Sequence, residues 1–293
     1  MSLDAQDTLA SSVPKQTHMP WHVVAWIALL IGVSFAPVIT KLVHDWSTDD
    51  DMGHGFFVPV VAAYIVWQRR HELLAESYQP NWWGVVLIVW GTVQLLVATL
   101  GVELFLARTS LLISLTGVLM VMGGIKLVKH LLFPLALLVF MVPIPAIIYN
   151  QITFPLQLFA SSVAETVLNL IGIPVFREGN ILELPSQRLS VVEACSGIRS
   201  LLSLTFLSLV YGYFFDNKPW MRVALLIATV PIAIAANAGR VTITGILSET
   251  QPELAKGFFH SLEGWVIFMV ALVILVITHQ VINRVYGLLR PKP

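Results

Sequence analysis

The chain has 293 residues, of which 57% are hydrophobic and 12% charged, and its mean hydropathy is +0.81. Seventeen Lys and Arg balance 17 Asp and Glu, so net charge implies no nucleic-acid or anionic partner. This composition excludes an ordinary soluble domain and reads as an all-α polytopic membrane protein, with the lipid bilayer as its solvent. One cysteine excludes an internal disulfide.

Residues 1–20 mix acids with a lysine and lack a small-residue cleavage site after a short apolar core. They read as a cytoplasmic tail rather than a cleaved signal peptide. Apolar runs then recur from Trp21 to Tyr286 without a linker, so residues 21–290 form a single integral membrane domain. A bilayer core takes about 20 apolar residues of helix. On that measure the sequence predicts about eight spans, near Trp21–Val43, Gly55–Gln68, Gly84–Leu100, Arg108–Gly124, Leu131–Tyr149, Ser196–Phe215, Trp220–Ile243 and Leu262–Ile282. The second is short for a full crossing.

Cations in short loops set the orientation. With a cytoplasmic N-terminus, Arg69, Arg70, Lys126, Lys129, Lys218, Arg222, Arg284, Arg290 and Lys292 all fall inside, as does the C-terminus. The acid-rich "HDWSTDDDMGHG" then lies outside, where His44, His54, Asp45, Asp49, Asp50 and Asp51 read as a solvated loop rather than a cation site. No clustered cysteine–histidine spacing suggests a metal, and no cofactor is implied.

The scheme requires that Ala146–Ile171, "AIIYNQITFPLQLFASSVAETVLNLI", not cross. Pro155 interrupts it, and Gln151, Gln157, Ser161, Ser162, Glu165, Thr166 and Asn169 punctuate it. The helical spacing of the last of these predicts an amphipathic helix along the outer surface, with a span whose polar stripe faces neighbours as the alternative. In the following "IPVFREGNILELPSQRLSVVEA", Gly179-Asn180 between β-prone stretches predicts a small hairpin. Residues 146–194 are thus an extracytoplasmic insert from which the only cysteine emerges.

That cysteine sits in "VVEACSGIRSLLSLTFLSLV". The apolar run begins after Cys195, which predicts a thiol in a first helical turn, where unpaired N–H groups and the dipole favour the thiolate. Arg199, four residues on, shares its face and lowers its pKa further. Glu193 either opposes that effect or holds Arg199 as an ion-pair partner. Asn237 and Arg240 lie one turn apart near the outer end of the seventh span, and His260 precedes the eighth. Cys195, Arg240 and His260 therefore share one membrane face and supply the parts of a thiol acyl-transfer site. Histidine takes the thiol proton. The thiolate attacks a peptide carbonyl to give a thioester, and arginine binds the oxyanion.

The blocks "EACSGIRSL" around Cys195, "NAGR" ending at Arg240, "FHSLEGW" around His260 and "GHGFFVPVVAAYIVWQRR" from Gly53 to Arg70 resemble the exosortase branch of the exosortase/archaeosortase family. The resemblance implies a membrane-embedded cysteine transpeptidase with Cys195 as nucleophile, Arg240 as essential arginine, His260 as third member and Arg199 in support. It implies substrates anchored by a C-terminal sorting signal of the PEP-CTERM type: a short motif, a transmembrane helix and a basic cluster. It also implies a Gram-negative inner membrane, a periplasmic active site and an association with exopolysaccharide clusters. Whether water or an acceptor amine resolves the thioester stays open. So do a transporter reading, with Arg240 and His260 lining a path, and a non-catalytic role in a polysaccharide-export assembly.

Overall fold

A long uninterrupted apolar run in lipid satisfies its backbone within its own segment by coiling into a helix. The computed structural model, which describes residues 21–191, 198–251 and 258–289, is accordingly almost all helix. In chain order come α1 (Trp21–Ser34), α2 (Ala36–Thr48), a 3₁₀ turn (Asp50–Phe56), α3 (Phe57–Gln68), α4 (Arg70–Ala75), α5 (Trp83–Leu100) and α6 (Leu104–His130). There follow α7 (Leu132–Leu137), a second 3₁₀ turn (Leu138–Met141), α8 (Ala146–Leu170), strands β1 (Phe176–Glu178), β2 (Ile181–Glu183) and β3 (Arg188–Ser190), then α9 (Ile198–Phe215), α10 (Pro219–Thr250) and α11 (Phe258–Leu289). The chain forms two compact units, one of Met1–Thr48 with Gly55–Val142 and one of Asp49–His54 with Pro143–Pro293.

This is a multi-pass membrane protein, with fewer clear spans than expected. By length and composition four helices among the described residues suffice to cross: Trp83–Leu100, Leu104–His130, Pro219–Thr250 and Gly264–Leu289. Two interrupted pairs, Ala25–Ser34 with Ala36–Thr48 and Leu132–Met141 with Ala146–Leu170, raise the number to six if each is one span. Among the described residues the expected count of eight is not confirmed, for a geometric reason. The expected second span is a helix of 12 residues, about 18 Å long against a core of about 30 Å, and the expected sixth falls among the shorter apolar helices as Arg199–Phe215.

In the first unit, α5 and α6 pack through small side chains, as helices in lipid must when no hydrophobic drive joins them. A Cβ on Gly84 would run into the Gly117 carbonyl, and one on Gly91 into Ser114 Oγ. The expected end of this span at Gly124 is a kink, where φ is +67° and a Cβ would meet the Gln79 carbonyl. Cations assigned to one side gather here: Arg69 donates to the His130 carbonyl at 3.1 Å, and Lys126 pairs with Glu76.

In the second unit α10 is the central element. Leu204 of α9, Met221, Leu225 and Ala233 of α10, and Ala271 and Leu275 of α11 form one core. Ala160 and Ala164 of α8, Leu182, Val191, and Ala238 and Val241 of α10 form another. The strands pair antiparallel in the order β1-β2-β3. Glu178 faces Ile181, so Gly179-Asn180 is the two-residue turn that the sequence predicts. Gly179 has φ +64°, which glycine adopts without steric cost.

The polar stripe of α8 has a use the sequence does not indicate. Gln157, Ser161, Glu165 and Asn169 recur every four residues and hold the sheet. Asn180 donates to Gln157 at 3.1 Å, Ser161 to the Gly179 carbonyl at 3.1 Å, Arg177 to Glu165 at 2.8 Å, and Val175 N–H to Asn169 at 3.1 Å. Gln157 and Ser161 are buried while Ile148, Ile152, Phe154 and Phe159 are exposed. The stripe thus serves the strands, and the apolar side of the helix faces outward.

The loop between α9 and α10 carries a closed polar network. Asp216 Oδ2 lies 3.0 Å from His279 Nε2, whose Nδ1 lies 2.8 Å from the Tyr211 hydroxyl. Asn283 donates to the same Oδ2 at 3.3 Å, the Lys218 amide to Oδ1 at 2.7 Å, and the Lys218 ammonium to Asn283 Oδ1 at 2.6 Å. Burial alone would raise the Asp216 carboxyl, but bonding to His279, the Lys218 amide and Asn283, helped by the Lys218 charge, holds it below the usual carboxylate range.

Candidate functional site

Arg240 sits in the second half of α10, where Gly264 of α11 makes room for it. A Cβ built on Gly264 would lie 3.1 Å from both Arg240 Cζ and Nη2. A charged group in such a helix needs a polar neighbour or a water-filled cavity, and with any larger residue at position 264 the guanidinium would have to shift by a few tenths of an ångström. His260 stands four residues, one turn, before Gly264 in α11. Helix pairing therefore brings two positions 20 apart in sequence to one place. The backbone of His260 is described, and its side chain lies outside the described part.

Asn237, one turn before Arg240, is 5% exposed. With Leu156, Leu201, Ala233 and Ile234 it lines a small cleft among α8, α9 and α10. Cys195 and Glu193 lie outside the described residues, as does the expected first helical turn around the thiol. The chain on either side is placed. Val191, fully buried, packs in the core that contains Ala238 and Val241, the residues bracketing Gly239-Arg240. The chain continues as α9 from Ile198.

Arg199 meets a partner that sequence reasoning missed. Its Nε donates to Asp51 Oδ1 at 3.0 Å, while Tyr149 O–H donates to Asp51 Oδ2 at 2.5 Å. Asp51 comes from the first 3₁₀ turn, about 150 residues upstream, whose residues up to His54 belong to the second unit. In the same turn His54 Nδ1 lies 3.4 Å from Ser203 Oγ, and its ring lies 6.3 Å from that of Phe206.

The acidic stretch is therefore not the solvated loop expected. Asp45 pairs with Arg108, whose side chain is only 6% exposed, and Asp51 pairs with Arg199. A cation drawn into the protein needs a counter-charge, and these aspartates supply it. The only sequence signal was the position of Asp51 beside the "GHGFF" block. Among the described residues no group of His, Cys, Asp and Glu side chains has the arrangement of a metal site.

Chemically, the second unit gathers an arginine closely packed against the helix that carries His260, a buried amide one turn away, and a second arginine held by a carboxylate. All lie around the points where the thiol-bearing segment is entered and left. No curated protein and no solved structure matches the chain. A family model described as transmembrane exosortase matches residues 46–277, from just before Asp51 to beyond the middle of α11. That match spans most of the chain and takes in both arginines, the thiol segment and His260, so the chain belongs to the transmembrane exosortase family.

Proposed function

We propose that this exosortase is a cysteine endopeptidase or transpeptidase, acting on exported proteins that carry a C-terminal sorting signal of the PEP-CTERM type. Cys195 is the nucleophile, His260 the general base and acid, and Arg240 the oxyanion partner. The thiol proton passes to the His260 imidazole as sulfur bonds to the scissile carbonyl carbon. Charge developing on the carbonyl oxygen is met by the Arg240 guanidinium. The C–N bond then breaks, the leaving amine takes the proton from His260, and a thioester remains. Water or an acceptor amine attacks it and returns the proton to sulfur. Asn237, Arg199 and Glu193 act in support, and no cofactor is required.

The observation that supports this reading is the packing of Arg240 against Gly264, one helical turn along α11 from the position of His260. The charge pattern of the loops supports an inner-membrane protein with both termini cytoplasmic and the site at the periplasmic face. A substrate whose basic cluster stays cytoplasmic then presents its cleavage motif at that face.

The test is co-expression with a substrate bearing a signal helix and basic cluster, followed by immunoblot for substrate size. Cys195→Ala should abolish processing at equal membrane levels of protein. Undiminished processing by that variant would overturn the assignment of the nucleophile.

A further inference from the structure

We infer that Asp51 is a positioning residue for the thiol chemistry, acting through Arg199. This rests on the reading of Cys195 as nucleophile. The geometry is that of a held carboxylate. One oxygen accepts from Arg199 Nε at 3.0 Å and the other from the Tyr149 hydroxyl at 2.5 Å, so the carboxylate is fixed from both sides. The Asp51 side chain is 18% exposed against 41% for Arg199, so the carboxylate is the more enclosed partner.

Long cationic side chains at a helix start sample many rotamers, and a charge-assisted bond to a fixed acceptor selects one. Here the acceptor does not come from the thiol segment or from α9. It comes from an early turn whose residues up to His54 belong to the second unit. Asp51 thereby sets where the cation four residues after Cys195 is held, and Tyr149 sets where Asp51 is held. Arg199 engages through Nε, a geometry that lysine cannot reproduce.

The test uses full-length protein reconstituted in vesicles with a signal-helix substrate. Asp51→Asn and Arg199→Gln should each lower kcat roughly 10- to 100-fold, the rate equivalent of one charge-assisted hydrogen bond. KM should stay within about twofold, since substrate binding is not what is lost. The double variant should be no slower than Arg199→Gln alone, because residues acting through one contact are not additive. Asp51→Glu should recover part of the rate, and Tyr149→Phe should lose less than Asp51→Asn.

Iodoacetamide alkylation of Cys195, the only thiol in the chain, provides a readout without substrate. It should slow by the same factor in both single variants. Additive losses in the double variant, wild-type kcat in Asp51→Asn, or wild-type kcat in Arg199→Gln would each overturn the inference. Processing that survives in Cys195→Ala while alkylation stays non-additive would remove the thiol mechanism and leave the Asp51–Arg199 coupling standing.

Discussion

Asp216 and Arg240 lie toward opposite ends of the same helix trio, about 30 Å apart along α10, and their surroundings differ in kind. At the Asp216 end the side chains of Asp216 and His279 are 5% and 8% exposed, and His279, Asn283 and the Lys218 amide converge on the carboxylate while Tyr211 meets the far nitrogen of His279. At the Arg240 end Asp51 and Arg199 keep 18% and 41% of their side chains exposed, a glycine faces the guanidinium, and a cleft opens beside Asn237. A buried polar network stabilises only when its members satisfy one another, and then it fixes one arrangement. Polar groups left accessible beside a cleft stabilise less and remain available to a substrate. The first end fastens the helices, and the second is where chemistry is expected.

The largest effect should come from Asp216→Ala. It strips His279, Asn283 and the Lys218 amide of their shared acceptor, and each buried donor left unsatisfied costs about 1–3 kcal/mol. A clear drop in the unfolding temperature of the detergent-solubilised protein is expected, with near-normal processing per folded molecule. A drop in processing at unchanged unfolding temperature would erase the contrast.

Arg240→Ala should do the reverse. Loss of an oxyanion donor lowers kcat about 100- to 1,000-fold, or about 2.7–4 kcal/mol in the barrier. The unfolding temperature should move far less than in Asp216→Ala. Destabilisation equal to that of Asp216→Ala, with processing retained, would mean that both ends are structural.

Acid should sharpen the comparison with a smaller effect. Because the Asp216 carboxyl is held below its ordinary value of 3.8 when folded, its contribution is fully present above that value and is lost as pH falls through the lower folded one. Stability should therefore decline with falling pH in that window, and Asp216→Asn should flatten the decline seen in thermal melts. An unchanged slope in the variant would show that other groups carry the acid sensitivity.

Much of the architecture follows from local properties of the chain. Backbone in lipid is satisfied by helices or closed barrels, and long uninterrupted apolar runs lack the alternation of barrel strands, so the sequence pattern determined an all-α membrane protein. Gly179-Asn180 between β-prone stretches specified the hairpin because a two-residue turn tolerates few residue types. The kink at Gly124 coincides with the expected end of a span, since glycine alone enters that backbone region freely. The blocks around Cys195, Arg240 and His260 stand out in the sequence as candidates because polar and ionisable groups in a greasy chain are costly and therefore conspicuous.

Tertiary structure decided what those groups touch. A polar stripe at helical spacing looks the same whether it meets water or strands, and only folding showed Gln157, Ser161, Glu165 and Asn169 holding the sheet. An acidic run looks solvated until a distant cation finds it, as Arg199 finds Asp51. The Asp216 network joins the end of α9 to a late turn of α11, and no local pattern encodes that encounter. Periodicity and composition act over a few residues, whereas ion pairs and packed glycines are set by which helices become neighbours.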